Sequence, residues 1–188
     1  MICGNSKGYK LRMGAAGSLP PLQQWAVRGL RLDAFAGARE WIAYAHMHSA
    51  FQSSSKRYGS TRCTLRQDGS IVLENRERSI SDNYVCTSSE GHAIESAPGV
   101  FEVHVGHALC RKRCGSCVIL YVNDGYTLAA LATPDRLLAW IMIRPDNMGK
   151  RQMDALEGLV QGTVIPVLRD TCGIRVERFV FPFARGVL

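Results

Sequence analysis

Two Asp-Gly pairs, each set between apolar runs, constrain this 188-residue chain more than any other feature of its sequence. Asp68-Gly69 separates Cys63, Thr64 and Leu65 from Ile71, Val72 and Leu73, and Asp124-Gly125 separates residues 118–122 from 126–132. Both residues of such a pair tolerate positive φ, as a tight hairpin turn requires, so each pair predicts two adjacent antiparallel strands. Residues 100–105 alternate apolar and polar and predict another strand. Residues 137–143 form a short run closed by Pro145 and read as a strand rather than a helix begun at Thr133. Residues 174–181 alternate again. Residues 75–99 are polar and poorly periodic, with one short strand expected at 84–86.

Helical spacing dominates elsewhere. Leu22, Trp25, Ala26, Gly29 and Leu30 form one stripe, and Phe35, Ala38, Ile42 and Ala45, widened by Ala34 and Trp41, form a second. Met153, Leu156 and Val160 mark a late helix, which Pro166 is expected to end or kink near Thr163. These elements predict an α+β domain: an antiparallel sheet of about five to six strands, with two N-terminal helices and one long helix of the C-terminal half packed on it. The element order resembles small profilin-like regulatory domains, on order alone. Residues 1–18, rich in glycine and with no structural period, read as a flexible basic arm preceding a single α+β domain over 19–188.

The apolar set makes up 46% of the chain and charged residues 21%, a balance that supports a buried core and argues against disorder. The most apolar stretch, 117–143, is broken by Asp124, Asp135 and Arg136, so no helical membrane span is expected. Lys7, Lys10 and Arg12 are followed by Gly, Ser and Pro rather than an apolar run, so no cleaved secretory signal is expected, while export without one stays open. Seven cysteines, an odd number, suggest thiols kept reduced and hence a cytoplasmic or other reducing compartment.

The formal charge of +7 is carried by the first third, where residues 1–70 hold ten Lys or Arg against three Asp or Glu. Lys10, Arg12, Arg28, Arg31, Lys56, Arg57, Arg62 and Arg66 are candidates for one basic face that would meet an acidic protein partner or neutralise nucleic-acid phosphates. Phe181 and Phe183, if exposed together, would form an apolar interface.

One cluster has metal-like spacing: His104, His107, Cys110, Cys114 and Cys117. Zinc takes four thiolate or imidazole donors in a tetrahedron, and Cys114-Gly115-Ser116-Cys117 would deliver two of them from one turn. The same cysteines could instead be small core or rim residues, or a redox pair, although the β-branched run after Cys117 leaves no helix N-terminus to hold a thiolate. The reading that follows is a non-enzymatic binding or regulatory domain acting through a protein partner. Nucleic-acid binding through the basic third, and a cysteine- or zinc-dependent enzyme using the 110–117 loop, are the alternatives.

Overall fold

The computed structural model describes residues 19–37, 40–47, 57–81, 83–105, 112–144 and 150–182. The expected basic arm over residues 1–18 lies outside them. Among the described residues nine strands form one antiparallel sheet: β1 (Glu40–Met47), β2 (Arg57–Leu65), β3 (Ile71–Ser79), β4 (Val85–Ala97), β5 (Val100–Val105), β6 (Lys112–Val122), β7 (Leu128–Ala132), β8 (Ala139–Ile143) and β9 (Phe179–Val180). Neighbours follow chain order from β2 to β8, β8 pairs with β1, and β1 pairs back onto β2 through Glu40, Trp41 and Ile42, so the first eight strands close into an up-and-down barrel. Closure satisfies the sheet edges that an open sheet would leave unpaired. β9 covers what remains of the β1 edge, with Val180 opposite His46 and Phe179 opposite Met47.

This overturns the expected sheet of five to six strands with two N-terminal helices, and with it the profilin-like order. The first predicted stripe is a single 3₁₀ turn, Leu22–Trp25, and the second is cut to α1 (Leu32–Phe35) followed by a strand. β1 misleads because both of its faces are buried. Trp41 and Ala43 point into the barrel while Ile42 and Tyr44 pack outward beneath the C-terminal helix, so the period of two that marks a half-exposed strand disappears. The supposedly irregular stretch 75–99 holds most of two long strands. The hairpin expected at Asp68-Gly69 is present: Asp68 Oδ1 accepts from the Ser70 amide at 2.9 Å and from its hydroxyl at 2.6 Å, which holds the carboxyl below its usual range. The strand readings at 100–105, 118–122 and 137–143 also have counterparts in β5, β6 and β8.

Two apolar clusters share the barrel wall. Inside lie Phe35, Trp41, Ala43, Cys63, Ile71, Ala93, Phe101, Ile119, Ala129 and Met142. Outside, alternate residues of β1, β6, β7 and β8 meet α2 (Lys150–Leu159) and its continuation through Leu156, Val160, Val164, Leu168 and Cys172. That outer stripe repeats every four residues. An α-helix turns every ~3.6 residues, so such a repeat would drift around its surface. Wider π turns at Val160–Val164 and Val167–Thr171 take up the drift and keep the stripe on the barrel. The helix runs on through Pro166, and around Thr163, where an end or kink was expected, its α geometry gives way to the π turn Val160–Val164. The terminal strand expected over 174–181 shortens to a 3₁₀ turn, Val176–Arg178, and the two residues of β9.

Candidate functional site

The strand directions give the barrel two unlike ends. At one end the tight connections 66–70, 98–99 and 123–127 meet the N-terminal segment, which crosses beneath the barrel. Val27 donates its amide to the Ile119 carbonyl at 2.9 Å, and Phe35 lies against Trp41 and Phe101 with centroids 5.3 and 6.4 Å apart. Arg144, at the end of β8 and 6% exposed, locks this floor. Its guanidinium sits 4.1 Å above the Trp41 ring and donates to the carbonyls of Ala34 at 2.8 Å, Tyr126 at 3.3 Å and Phe35, while Trp41 Nε1 donates to the Phe35 carbonyl at 2.9 Å. One cation thus satisfies three backbone carbonyls at the closed end. Among the described residues, the turn 133–138 after β7 lies at the opposite end.

Directly opposed residues of an antiparallel ladder share a face, which fixes the lumen wall. Trp41 faces Thr61, Thr61 faces Asn75 and Asn75 faces Ser89, so these four project inward. The same rule brings in Leu73 and Gly91, Val103 and Gly115, Phe101 and Cys117, and Trp140 opposite Leu131. Leu65, Leu73, Val103, Leu131 and Trp140 all pack on the inner cluster yet keep accessible surface.

Cys117 shows what that surface is. It is part-exposed, but enclosure by protein, with a smaller contribution from nearby Cys63, pushes its thiol up to about 12. That accessible surface faces into the barrel, as does that of Leu73, Val103, Leu131 and Trp140. Cys63, buried on the same inner face, is likewise raised to about 12 by burial, with Arg144 pulling slightly the other way. Both thiols are therefore neutral near pH 7 and act as small apolar lining. His46 faces inward opposite Trp140 but is only 2% exposed, so it sits behind the wall rather than on it.

The residues singled out from sequence are divided by this geometry. His104 lies on the outer face of β5, directly opposite His92, with Nε2 4.0 Å from Glu102 Oε2, whereas Cys117 points into the lumen. His107 and Cys110, and the side chain of Cys114, lie outside the described residues. Among the described residues no three His, Cys, Asp or Glu side chains gather as a metal-holding group. The basic residues are spread. Arg28 borders an outer cleft with Gln24, Ala97 and Pro98 at the closed end. Arg31 pairs with Asp33 at 3.2 Å there, exposed Arg66 sits in the β2–β3 turn, Arg62 lies on the outer wall, and Arg57 near the rim pairs with Glu77 at 3.2 Å. Lys10, Arg12 and Lys56 lie outside the described residues. Phe181 packs edge-on against Tyr44 at 5.9 Å, and Phe183 lies outside. The inward set Leu73, Asn75, Gly91, Val103 and Trp140 was missed, since only an eight-strand register could have marked it.

No helix among the described residues is long and apolar enough to cross a membrane. The model of the lipocalin-like domain family matches residues 30–163. Solved structures with the same fold include a major allergen, Per a 4, from cockroaches, 16% identical, covering 74% of this chain and 82% of that one with a TM-score of 0.53. A biogenic amine-binding protein is 13% identical, with 86% of each chain covered and a TM-score of 0.52. Apocrustacyanin C1 is 16% identical, with 79% of this chain and 76% of that one covered and a TM-score of 0.51. Among curated proteins none matches in sequence. These findings correct the reading of a domain that acts mainly through a protein partner, because barrels of this family typically hold small apolar ligands. They also overturn the cytoplasmic or reducing compartment, since lipocalin-fold proteins of these kinds are characteristically extracellular. The odd cysteine count misled because the inner thiols Cys63 and Cys117 serve as lumen lining, which is silent about compartment. Matched over most of its length, the chain belongs to the lipocalin-like domain family.

Proposed function

We propose that this protein binds and carries a small, predominantly apolar molecule in the lumen of its barrel. The observation that carries the reading is an inward face on which Leu73, Val103, Leu131, Trp140 and Cys117 all keep accessible surface around the buried Phe101. A preformed apolar cavity closed at one end binds such molecules by removing their surface from water, at about 25 cal/mol per Å² buried. Among the structural neighbours, one is described as a biogenic amine-binding protein and another as the tryptamine complex of the amine-binding protein of Rhodnius prolixus, which supports a small-ligand role.

The test is a titration with the uncharged fluorophore N-phenyl-1-naphthylamine, followed by energy transfer from tryptophan. Saturation at one probe per chain is expected. Cys117→Trp, which fills the lumen, should abolish binding, while Ile94→Trp, on the exposed outer wall, should leave it unchanged. Absence of saturable binding, or binding indifferent to Cys117→Trp in a folded variant, overturns the reading.

A further inference from the structure

The lumen is not uniformly apolar. Its closed half is lined by Phe35, Trp41, Ile71, Phe101, Ile119 and Met142. Higher on the β2–β4 side, Thr61, Asn75 and Ser89 form a polar row across three strands. Asn75 lies four residues up β3 from Ile71, about 13 Å along the strand, while the near end of the row, Thr61, is directly opposite Trp41.

The hydrogen bonds within the row are asymmetric. Thr61 Oγ1 donates to Asn75 Oδ1 at 2.8 Å, which fixes the amide and turns its Nδ2 donors away from Thr61. Among the described residues nothing accepts from Nδ2, and the Ser89 hydroxyl is likewise uncommitted. A polar group that faces an enclosed space without a partner makes its hydrogen bond with whatever enters. The charge beside it is balanced: Glu77, two residues further up β3 on the same face, is bridged by Arg57 at 3.2 Å. A ligand ion of either sign would have to displace one member of that pair or enter unpaired.

We infer that the ligand is an amphiphile that enters tail-first, its apolar part reaching the Trp41–Phe101 floor and its uncharged hydrogen-bonding head, an amide, carbonyl or hydroxyl, held by Asn75. This rests on the lumen being a binding cavity and adds the chemistry of the head. The row's position explains why the inward faces of β3 and β4 carry Asn and Ser where a purely apolar cavity would carry Val or Leu.

The experiment displaces N-phenyl-1-naphthylamine from the full chain with decanamide, decylamine or decanoic acid, which share a tail and differ in the charge of the head. Decanamide should displace the probe at concentrations about tenfold lower than either ion, the effect of roughly one hydrogen bond to a fixed donor in a dry site. Asn75→Leu should remove that preference, and Asn75→Asp should transfer it to decylamine, with the far-ultraviolet circular dichroism and cooperative melting of both variants matching wild type as evidence of an intact barrel. Tightest displacement by either ion in the wild type, displacement by none of the three, or an amide preference that survives Asn75→Leu overturns the head assignment. Failure of the probe itself to bind instead overturns the cavity reading on which the assignment rests.

Discussion

Replacing Arg144 with methionine tests whether one guanidinium holds the closed end together. Methionine keeps the apolar stem and removes the charged fork. The side chain is 6% exposed and loses three donor contacts, to Ala34, Phe35 and Tyr126, together with its stacking on Trp41 at 4.1 Å. A hydrogen bond to a charged group is worth about 1.5–3 kcal/mol and a desolvated cation–π contact about 2 kcal/mol. These contributions overlap, and removing the cation also recovers its desolvation penalty, so the net loss should be about 3–4 kcal/mol. Because Trp41 Nε1 still reaches the Phe35 carbonyl, the plug should loosen rather than leave. Urea unfolding followed by tryptophan emission should show a lower midpoint at unchanged slope, and melting should fall by about 10 °C at ~2–4 °C per kcal/mol for a chain of this size. Arg144→Lys should recover little of the loss, since an ammonium cannot span three carbonyls and lie flat on an indole. A destabilisation below about 1 kcal/mol in the methionine variant would refute the lock.

Leu168, 0% exposed between helix and barrel, should cost about 2–5 kcal/mol when cut to alanine, measured by the same urea unfolding. Gly69 and Gly99 both hold positive φ, at 79° and 69°, but a Cβ on Gly99 would lie 2.6 Å from the Val27 carbonyl oxygen whereas Gly69 has open space. Gly69→Ala should therefore lose about 1 kcal/mol from backbone strain alone, and Gly99→Ala clearly more, because the N-terminal segment must shift. Cys63 and Cys117, with thiols raised from 9 to about 12 by burial, stay protonated in the fold while an unfolded chain ionises. Their contribution is complete below pH 9 and is lost as pH rises toward 12, so Cys63→Ala should flatten the alkaline fall in stability. Both native thiols should alkylate at pH 8 about a thousandfold more slowly than a free cysteine, in proportion to their smaller thiolate fraction.

Where local chemistry and the final fold agreed, the sequence was readable. Asp68-Gly69 and Asn123-Asp124-Gly125 demanded turns whatever surrounded them, and β5, β6 and β8 carried enough apolar or alternating character to stand out. β1 did not, because the lumen claims Trp41 and Ala43 while the helix claims Ile42 and Tyr44, leaving an apolar run whose spacing also fits a helical stripe. β3 and β4 failed for the opposite reason. Asn75 and Ser89 line a polar part of the lumen, while Glu74 and Arg76 form an ion pair on the outer wall, so neither face is apolar enough to show alternation. The candidate site suffered most. His104 and Cys117 are thirteen positions apart and looked like neighbours in one cluster, but Cys117 lies opposite Phe101, three positions from His104 on β5, so pleating sends them to opposite sides of the wall. Pro166 marked the place where α geometry gives way, at the π turns Val160–Val164 and Val167–Thr171 on either side of it, but the helix continues rather than ends.

The central claim, that the barrel encloses an apolar cavity reached from one end, is tested most directly by a crystal structure under xenon pressure, because xenon settles in dry apolar cavities and avoids packed or hydrated ones. The account predicts a xenon site inside the barrel in contact with Cys117, Leu73 and Val103 and above the Phe35–Trp41 floor, absent in Cys117→Trp. A lumen packed solid by its own side chains, with xenon bound only on the outer surface, would contradict it.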